Sequence, residues 1–115
     1  LGVFESIGRG SLTRAEIAAR SGLHEDALAP LLRVLQAAGY LRARRERFSL
    51  TRVARKWLLA DSPDSVRDHL LFMRHHWHWH EHVPQYLRTG QGLRIHEGSE
   101  PTDWELYRRG MASAA

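Results

Sequence analysis

Residues 12–50, LTRAEIAARSGLHEDALAPLLRVLQAAGYLRARRERFSL, decide the fold. Thr13 followed three residues later by Glu16 predicts a capping box, in which each side chain satisfies the other's exposed backbone donor at a helix start. Ile17 and Ala18 supply that helix with an apolar side. Ser21 and Gly22 close it, because glycine accepts the left-handed backbone that ends a helix. A second helix opens around His24 to Asp26, with carboxylates where the helix dipole favours them. Leu28, Leu31, Leu32 and Leu35 repeat at helical spacing and should face a core; Ala37, Ala38 and Gly39 end the run in small residues. Pro30 is expected to mark a late start of this helix, since a missing backbone donor is tolerated best in the first turn. Tyr40 to Arg44 and Arg47 to Leu50 read as two short strands around the polar tip Arg45-Glu46, and Thr51 caps a further helix through Leu59. Helix, turn, helix, hairpin, helix is the order of a winged helix-turn-helix. The expected class is mainly α, with a short β-hairpin wing and long helices after it.

At 115 residues and 43% hydrophobic, the chain can bury a modest core. It contains no cysteine, which excludes disulfides and thiolate metal sites and fits a reducing, cytoplasmic setting. No apolar run approaches the roughly 20 residues that span a bilayer, so a membrane partner is not expected. Leu1, Val3, Phe4 and Ile7 already follow a helical stripe, and MASAA at the other end sits in what reads as a continuing helix. The expectation is a piece of a larger protein, divided into a winged-helix-like part over 1–60 and a helical part over 61–115.

The net charge of +4 and an isoelectric point near 10.3 raise the question of nucleic acid. Arg42, Arg44, Arg45 and Arg47 cluster in the wing and could lie along phosphates. The second helix argues the other way. Its start offers His24, Glu25 and Asp26 and its middle Ala27, Leu28, Ala29 and Pro30, where a base reader presents Arg, Lys, Asn, Gln or Ser to the groove. Only Arg33 and Gln36 remain as readers. Specific nucleic-acid binding is disfavoured, and a winged-helix transcription regulator stays as the alternative reading.

Four pieces of the chain carry a resemblance: LTRAEIAARSGLHEDALAPLLRVLQAAGYL (12–41), RFSLTRVARKWL (47–58), HHWHWHEHVPQYLRTG (75–90) and LYRRGMAS (106–113). In this order they resemble the N-terminal dimerisation domain of the S-adenosylmethionine-dependent small-molecule O-methyltransferases, the group of plant caffeic acid O-methyltransferase and bacterial natural-product enzymes. The first two pieces are shared with winged-helix regulators; Trp77 to Gly90 and Arg109-Gly110-Met111 are the specific ones.

The resemblance implies a homodimer whose intertwined interface this domain largely supplies, with a small-molecule acceptor enclosed beside it. The cofactor, S-adenosylmethionine, and the catalytic histidine belong in the family to a following Rossmann-like domain. No strand leading into a GxGxG turn occurs here, so no catalytic and no cofactor-binding residue is assigned, and the 115 residues alone are expected to be inactive. Met111 matches the methionine that lines the family's acceptor site, and Tyr107 stands one turn earlier in place of the usual Phe. Leu70, Leu71, Met73 and Trp77 lie on the helix that supplies another wall. For the dimer interface the candidates are Leu1, Val3, Phe4, Ile7, Phe72 and Trp79. Between Ser65 and Arg88, read as one helix, Val66, Leu70, Met73 and Trp77 share a face while Leu71, Phe72, Trp79 and Val83 spread around the others, and such a helix needs more than one apolar neighbour. A stand-alone dimeric interaction module is a third reading.

HHWHWHEH concentrates His75, His76, His78, His80 and His82. The pairs His76/His80 and His78/His82 have the i,i+4 spacing that offers two ligands, but a metal needs imidazoles converging to about 2.1 Å and a further ligand, for which only His96 is in view. No metal is assigned. Imidazoles beside a substrate channel, hydrogen-bonding a phenol or titrating near neutral pH, are the preferred reading. His80 stands where the family commonly has Trp.

Overall fold

A computed structural model describes residues 1–94 and 101–115, without the side chains of His75, His78, Pro101 and Thr102. In chain order the elements are α1 (Val3–Ile7), β1 (Ser11–Thr13), α2 (Arg14–Ser21), α3 (Glu25–Ala37), β2 (Leu41–Arg44), β3 (Arg47–Leu50), α4 (Arg52–Leu58), α5 (Arg67–His80), α6 (Val83–Thr89) and α7 (Pro101–Ala112). They fall into two compact units, Leu1–Ser65 and Val66–Ala115.

In the first unit the expected capping box opens α2. The Glu16 backbone N–H donates to Thr13 Oγ1 at 3.2 Å, and the Thr13 N–H donates to Glu16 Oε2 at 2.7 Å. Gly22 ends the helix at φ 69°, a left-handed conformation that costs a Cβ-bearing residue more. Helix α3 begins at Glu25, with Leu28 and Leu32 fully buried and Leu31 and Leu35 packed against the same core. Pro30 does not mark a late start: it sits in the second turn, inside the helix. Its ring removes the hydrogen bond to the Asp26 carbonyl, and both residues are exposed, so water can reach the freed oxygen.

The hairpin is as expected, its tip formed by Arg45 (φ 49°) and Glu46 (φ 61°). Two successive positive φ values give the turn whose twist matches paired strands. The sequence reading missed β1, which pairs antiparallel with β3 through Leu12 and Phe48 and makes a three-stranded sheet of order β1-β3-β2. Leu12, Leu41 and Leu50 are buried on the inner face against Ile17, Leu28, Leu32 and Ala54. Thr51 joins hairpin to helix: its Oγ1 accepts from the Ala54 N–H at 3.3 Å and donates to the Gly39 carbonyl at 2.8 Å. Val3 and Ile7 complete this core, and Phe4 meets Tyr40 edge to face at 6.0 Å between centroids.

In the second unit, the run expected as one helix from Ser65 to Arg88 is two. Helix α5 ends at His80 and α6 begins at Val83, with Pro84 in its first turn. A continuous helix would press the Pro84 ring against the carbonyl of His80, four residues back. Helices α5 and α7 pack antiparallel, since Asp68 meets Arg109, His69 meets Ser113 and Phe72 meets Tyr107. The helix read as running on through MASAA ends at Ala112. Among the described residues, no helix is long and apolar enough to cross a membrane.

Candidate functional site

The acceptor-wall candidates lie on α5 and α7, and the packing of those two helices decides which side chains remain available. Phe72 is the buried centre of the contact. A Cβ built on Gly110 would stand 2.6 Å from the Phe72 Cβ and 3.3 Å from the Asp68 carbonyl oxygen, so only glycine lets the helices approach this closely. The Phe72 ring lies edge-on to Tyr107 and to His76, both at 5.3 Å, and Trp79 completes the cluster with its ring 4.5 Å from that of His76. Offset and edge-on geometries are those that aromatic quadrupoles favour.

Polar contacts bracket this apolar centre. Asp68 accepts from Arg67 at 2.9 Å and pairs with Arg109 at 3.3 Å. The His69 backbone N–H, one of the donors a helix start leaves without an intrahelical partner, donates to Ser113 Oγ at 2.9 Å. That hydroxyl in turn donates to the Gly110 carbonyl. Further along α7, the Arg108 guanidinium on Glu105 holds the Glu105 carboxyl below its usual range.

This clasp leaves several large apolar side chains uncovered. Leu70 is 50% exposed, Trp77 76%, Tyr107 41% and Met111 48%, while Leu71 and Met73 are half-buried. The interface candidates separate more sharply. Leu1 is 85% exposed and Phe4 and Trp79 are half-buried, whereas Val3, Ile7 and Phe72 are buried. Those three offer almost no surface to another chain, because the apolar area of each is already used inside its own unit.

Of the histidines, His76 is engaged by Phe72 and Trp79, His80 is exposed and His82 is half-buried ahead of α6. The His78 side chain and His96 lie outside the described residues, and with them the His78/His82 pair. Among the described residues no group of three metal-ligating side chains converges.

Two features escaped the sequence reading. A hollow of about 270 Å³ opens beside α6, walled by Trp79, Tyr86 and Leu93 with Gln85 and His82 at its polar side. The approach of Gly110 to Phe72 was also missed; the only signal for it was a glycine inside a helical run, which costs helix stability unless packing requires it.

The face that would meet DNA in a winged helix is of mixed charge. Glu25 holds Arg14 at 3.1 Å. Arg47, counted among the wing cations, is turned onto Glu16 at 3.3 Å and onto the Ser11 carbonyl at 2.6 Å. The Glu16 carboxyl is held below its usual range, chiefly by the backbone N–H of Thr13.

The described residues do not fit S-adenosylmethionine. A nucleoside cofactor of this kind sits where a parallel strand runs into a glycine turn and a helix N-terminus. Here the sheet is antiparallel, and β1 and β3 lead into the threonine caps Thr13 and Thr51.

A sequence profile described as the O-methyltransferase dimerisation domain matches residues 1–60. Comparison with curated proteins gives no match. Solved structures similar to the chain include an O-methyltransferase family protein from Burkholderia thailandensis (TM-score 0.80, 21% identity, 98% of this chain and 36% of that one). At that identity the likeness is one of fold. CalO1, a methyltransferase in calicheamicin biosynthesis solved in its SAH-bound form, is 28% identical with a TM-score of 0.76, over 98% of this chain and 37% of its own. The mitomycin 7-O-methyltransferase MmcR is 26% identical with a TM-score of 0.74, over the same shares. The chain thus spans little more than a third of these relatives.

Proposed function

Since the chain belongs to the O-methyltransferase dimerisation domain family, we propose that it is the assembly and acceptor-enclosing part of an S-adenosylmethionine-dependent O-methyltransferase acting on a hydroxyl of a small aromatic metabolite. The observation that carries this is the uncovered apolar surface on α5 and α7. Leu70, Trp77, Tyr107 and Met111 stay accessible in the second unit although its buried centre is already filled by Phe72. Large apolar side chains left open on both helices are the kind of surface that a ligand or a partner chain covers.

Two coverings are proposed. A flat aromatic acceptor would lie against Tyr107 and Met111, with Leu70, Leu71, Met73 and Trp77 along the α5 wall; the aromatic faces suit stacking and the methionine adapts to irregular shape. These side chains would exclude water and fix the hydroxyl, which raises the effective concentration of the reacting groups. A second copy of the chain would cover Leu1 and the accessible parts of Phe4 and Trp79, with Val3, Ile7 and Phe72 as the packing beneath. S-adenosylmethionine, which supplies the methyl group when bound, is assigned to residues outside these 115. The relatives named for calicheamicin biosynthesis and mitomycin support an acceptor of natural-product type.

Calorimetry tests the division of roles. In the protein that carries this chain, Met111→Ala should change acceptor affinity while cofactor affinity stays as it was. Loss of cofactor affinity in that variant, or micromolar cofactor binding by residues 1–115 alone, would refute it.

A further inference from the structure

We propose that the first unit carries an anion site for a polyphosphate chain, in the concavity between the outer face of the sheet and α4. This proposal is independent of the methyltransferase reading. Five cations, Arg9, Arg42, Arg52, Arg55 and Lys56, line one open cavity of about 490 Å³, and among the described residues none of its lining side chains is acidic. They come from three separate places: the link after α1, strand β2, and the exposed side of α4. Ser49 adds a hydroxyl, since it pairs with Arg42 across the hairpin and so shares its face.

The charge balance points to a ligand. Asp61 pairs with Arg9 at 3.1 Å and Asp64 with Lys56 at 3.6 Å, so two of the five cations are already compensated at the rim. Among the described residues, the guanidiniums of Arg42, Arg52 and Arg55 have no carboxylate partner. Arg55 goes further: its Nε is buried without a hydrogen-bond acceptor, although a buried donor is ordinarily satisfied. Three like charges drawn to one concavity repel one another, and an anion relieves that repulsion while supplying the missing acceptor.

The expected ligand is a chain of phosphates rather than a single one. Each of these cations is at least partly exposed, so any one contact is weak and screened within about 8 Å at physiological salt. Useful affinity requires several contacts at once, and a flexible polyphosphate, free or carried by a nucleotide, can reach all three uncompensated guanidiniums. A DNA duplex docked through α3 in the manner of a winged helix would meet Glu25 and Asp26 at the start of that helix.

The test is calorimetric titration of the chain with inorganic tripolyphosphate in about 150 mM salt. One equivalent should bind in the micromolar range, and orthophosphate at least about tenfold more weakly. The double variant Arg42→Gln, Arg52→Gln changes two exposed side chains that hold no ion pair or side-chain hydrogen bond among the described residues. It should weaken binding by about tenfold or more with the unfolding midpoint retained, while Arg108→Gln in the second unit leaves affinity unchanged. ATP binding as tightly as tripolyphosphate assigns recognition to the phosphates; a nucleoside that binds equally well without them overturns the proposal. So do the absence of tripolyphosphate binding, binding that survives the double variant, and displacement of the anion by random duplex DNA at nanomolar concentration.

Discussion

Gly110 lies so close to Phe72 that a single added carbon would meet the Phe72 Cβ at 2.6 Å. Gly110→Ala therefore sets two effects against each other. Alanine should favour the helix by about 1 kcal/mol, whereas overpacking a closed contact costs about 1–3 kcal/mol. The clash involves a Cβ and a backbone carbonyl, neither of which swings away, so packing wins. Urea denaturation should show a less stable second unit, and a variant more stable than the parent would contradict the close approach.

The capping box makes a prediction with a pH signature. Thr13→Ala should destabilise the first unit by about 1 kcal/mol in chemical denaturation at neutral pH. Because the Glu16 pKa is depressed on folding, its contribution is fully present above the ordinary carboxylate range near 4 and is lost as the pH falls through the lower folded value. The stability difference between the parent and Glu16→Gln should narrow as the solution is acidified below about 4. A difference that widens on acidification would reverse the sign and remove the argument.

At the hairpin tip, Arg45 and Glu46 both hold positive φ without being glycine. Replacing them by Asn and Gly should relieve strain and raise the thermal midpoint, by about 1 kcal/mol in stability. An unchanged or lowered midpoint would mean that the tip is held by something other than turn geometry.

Binding to random duplex DNA should be weak and should vanish at physiological salt. Arg47 is already committed to Glu16 and Ser11, leaving Arg42, Arg44 and Arg45 of the wing for screened phosphate contacts. A selected site bound at nanomolar affinity in that salt would promote Arg33, Gln36 and Arg44 to readers.

The chain is expected to self-associate, and sedimentation at micromolar concentration should find a dimer. Replacing Leu1, with most of its surface exposed, by Ser should shift the equilibrium toward monomer without altering the core beneath it. A parent chain that remains monomeric would count against the pairing surface.

Local signals carried most of the fold. Thr13 with Glu16, Gly22 and the Arg45-Glu46 tip each act within a few residues, and each element they announce stands where expected. Strand β1 was illegible because three residues hold no periodicity, and its partner Phe48 lies far along the chain. Pro30 and Pro84 were each misjudged by one rule. At Pro30 solvent exposure let the helix continue, and at Pro84 the continuing apolar stripe hid a break that the ring enforces. The family resemblance identified the helices that bear the candidate site. It could not show that Phe72 faces Gly110, or that Arg9, Arg42 and Arg55 share a concavity, because folding alone brings those residues together.

The hydrogen bond from the His69 backbone to Ser113 has a consequence for synthesis on the ribosome. The acceptor for the first turn of α5 is made 44 residues after the donor, and Tyr107 and Gly110, which cover Phe72, emerge just before it. At roughly 5–20 residues per second, the aromatic side of α5 waits about 2–9 seconds for its cover. During that interval neighbouring nascent chains present the same sticky helix to one another. Mispairing between nascent chains is thus open until Ser113 has emerged, and slower translation downstream of α5 lengthens that interval.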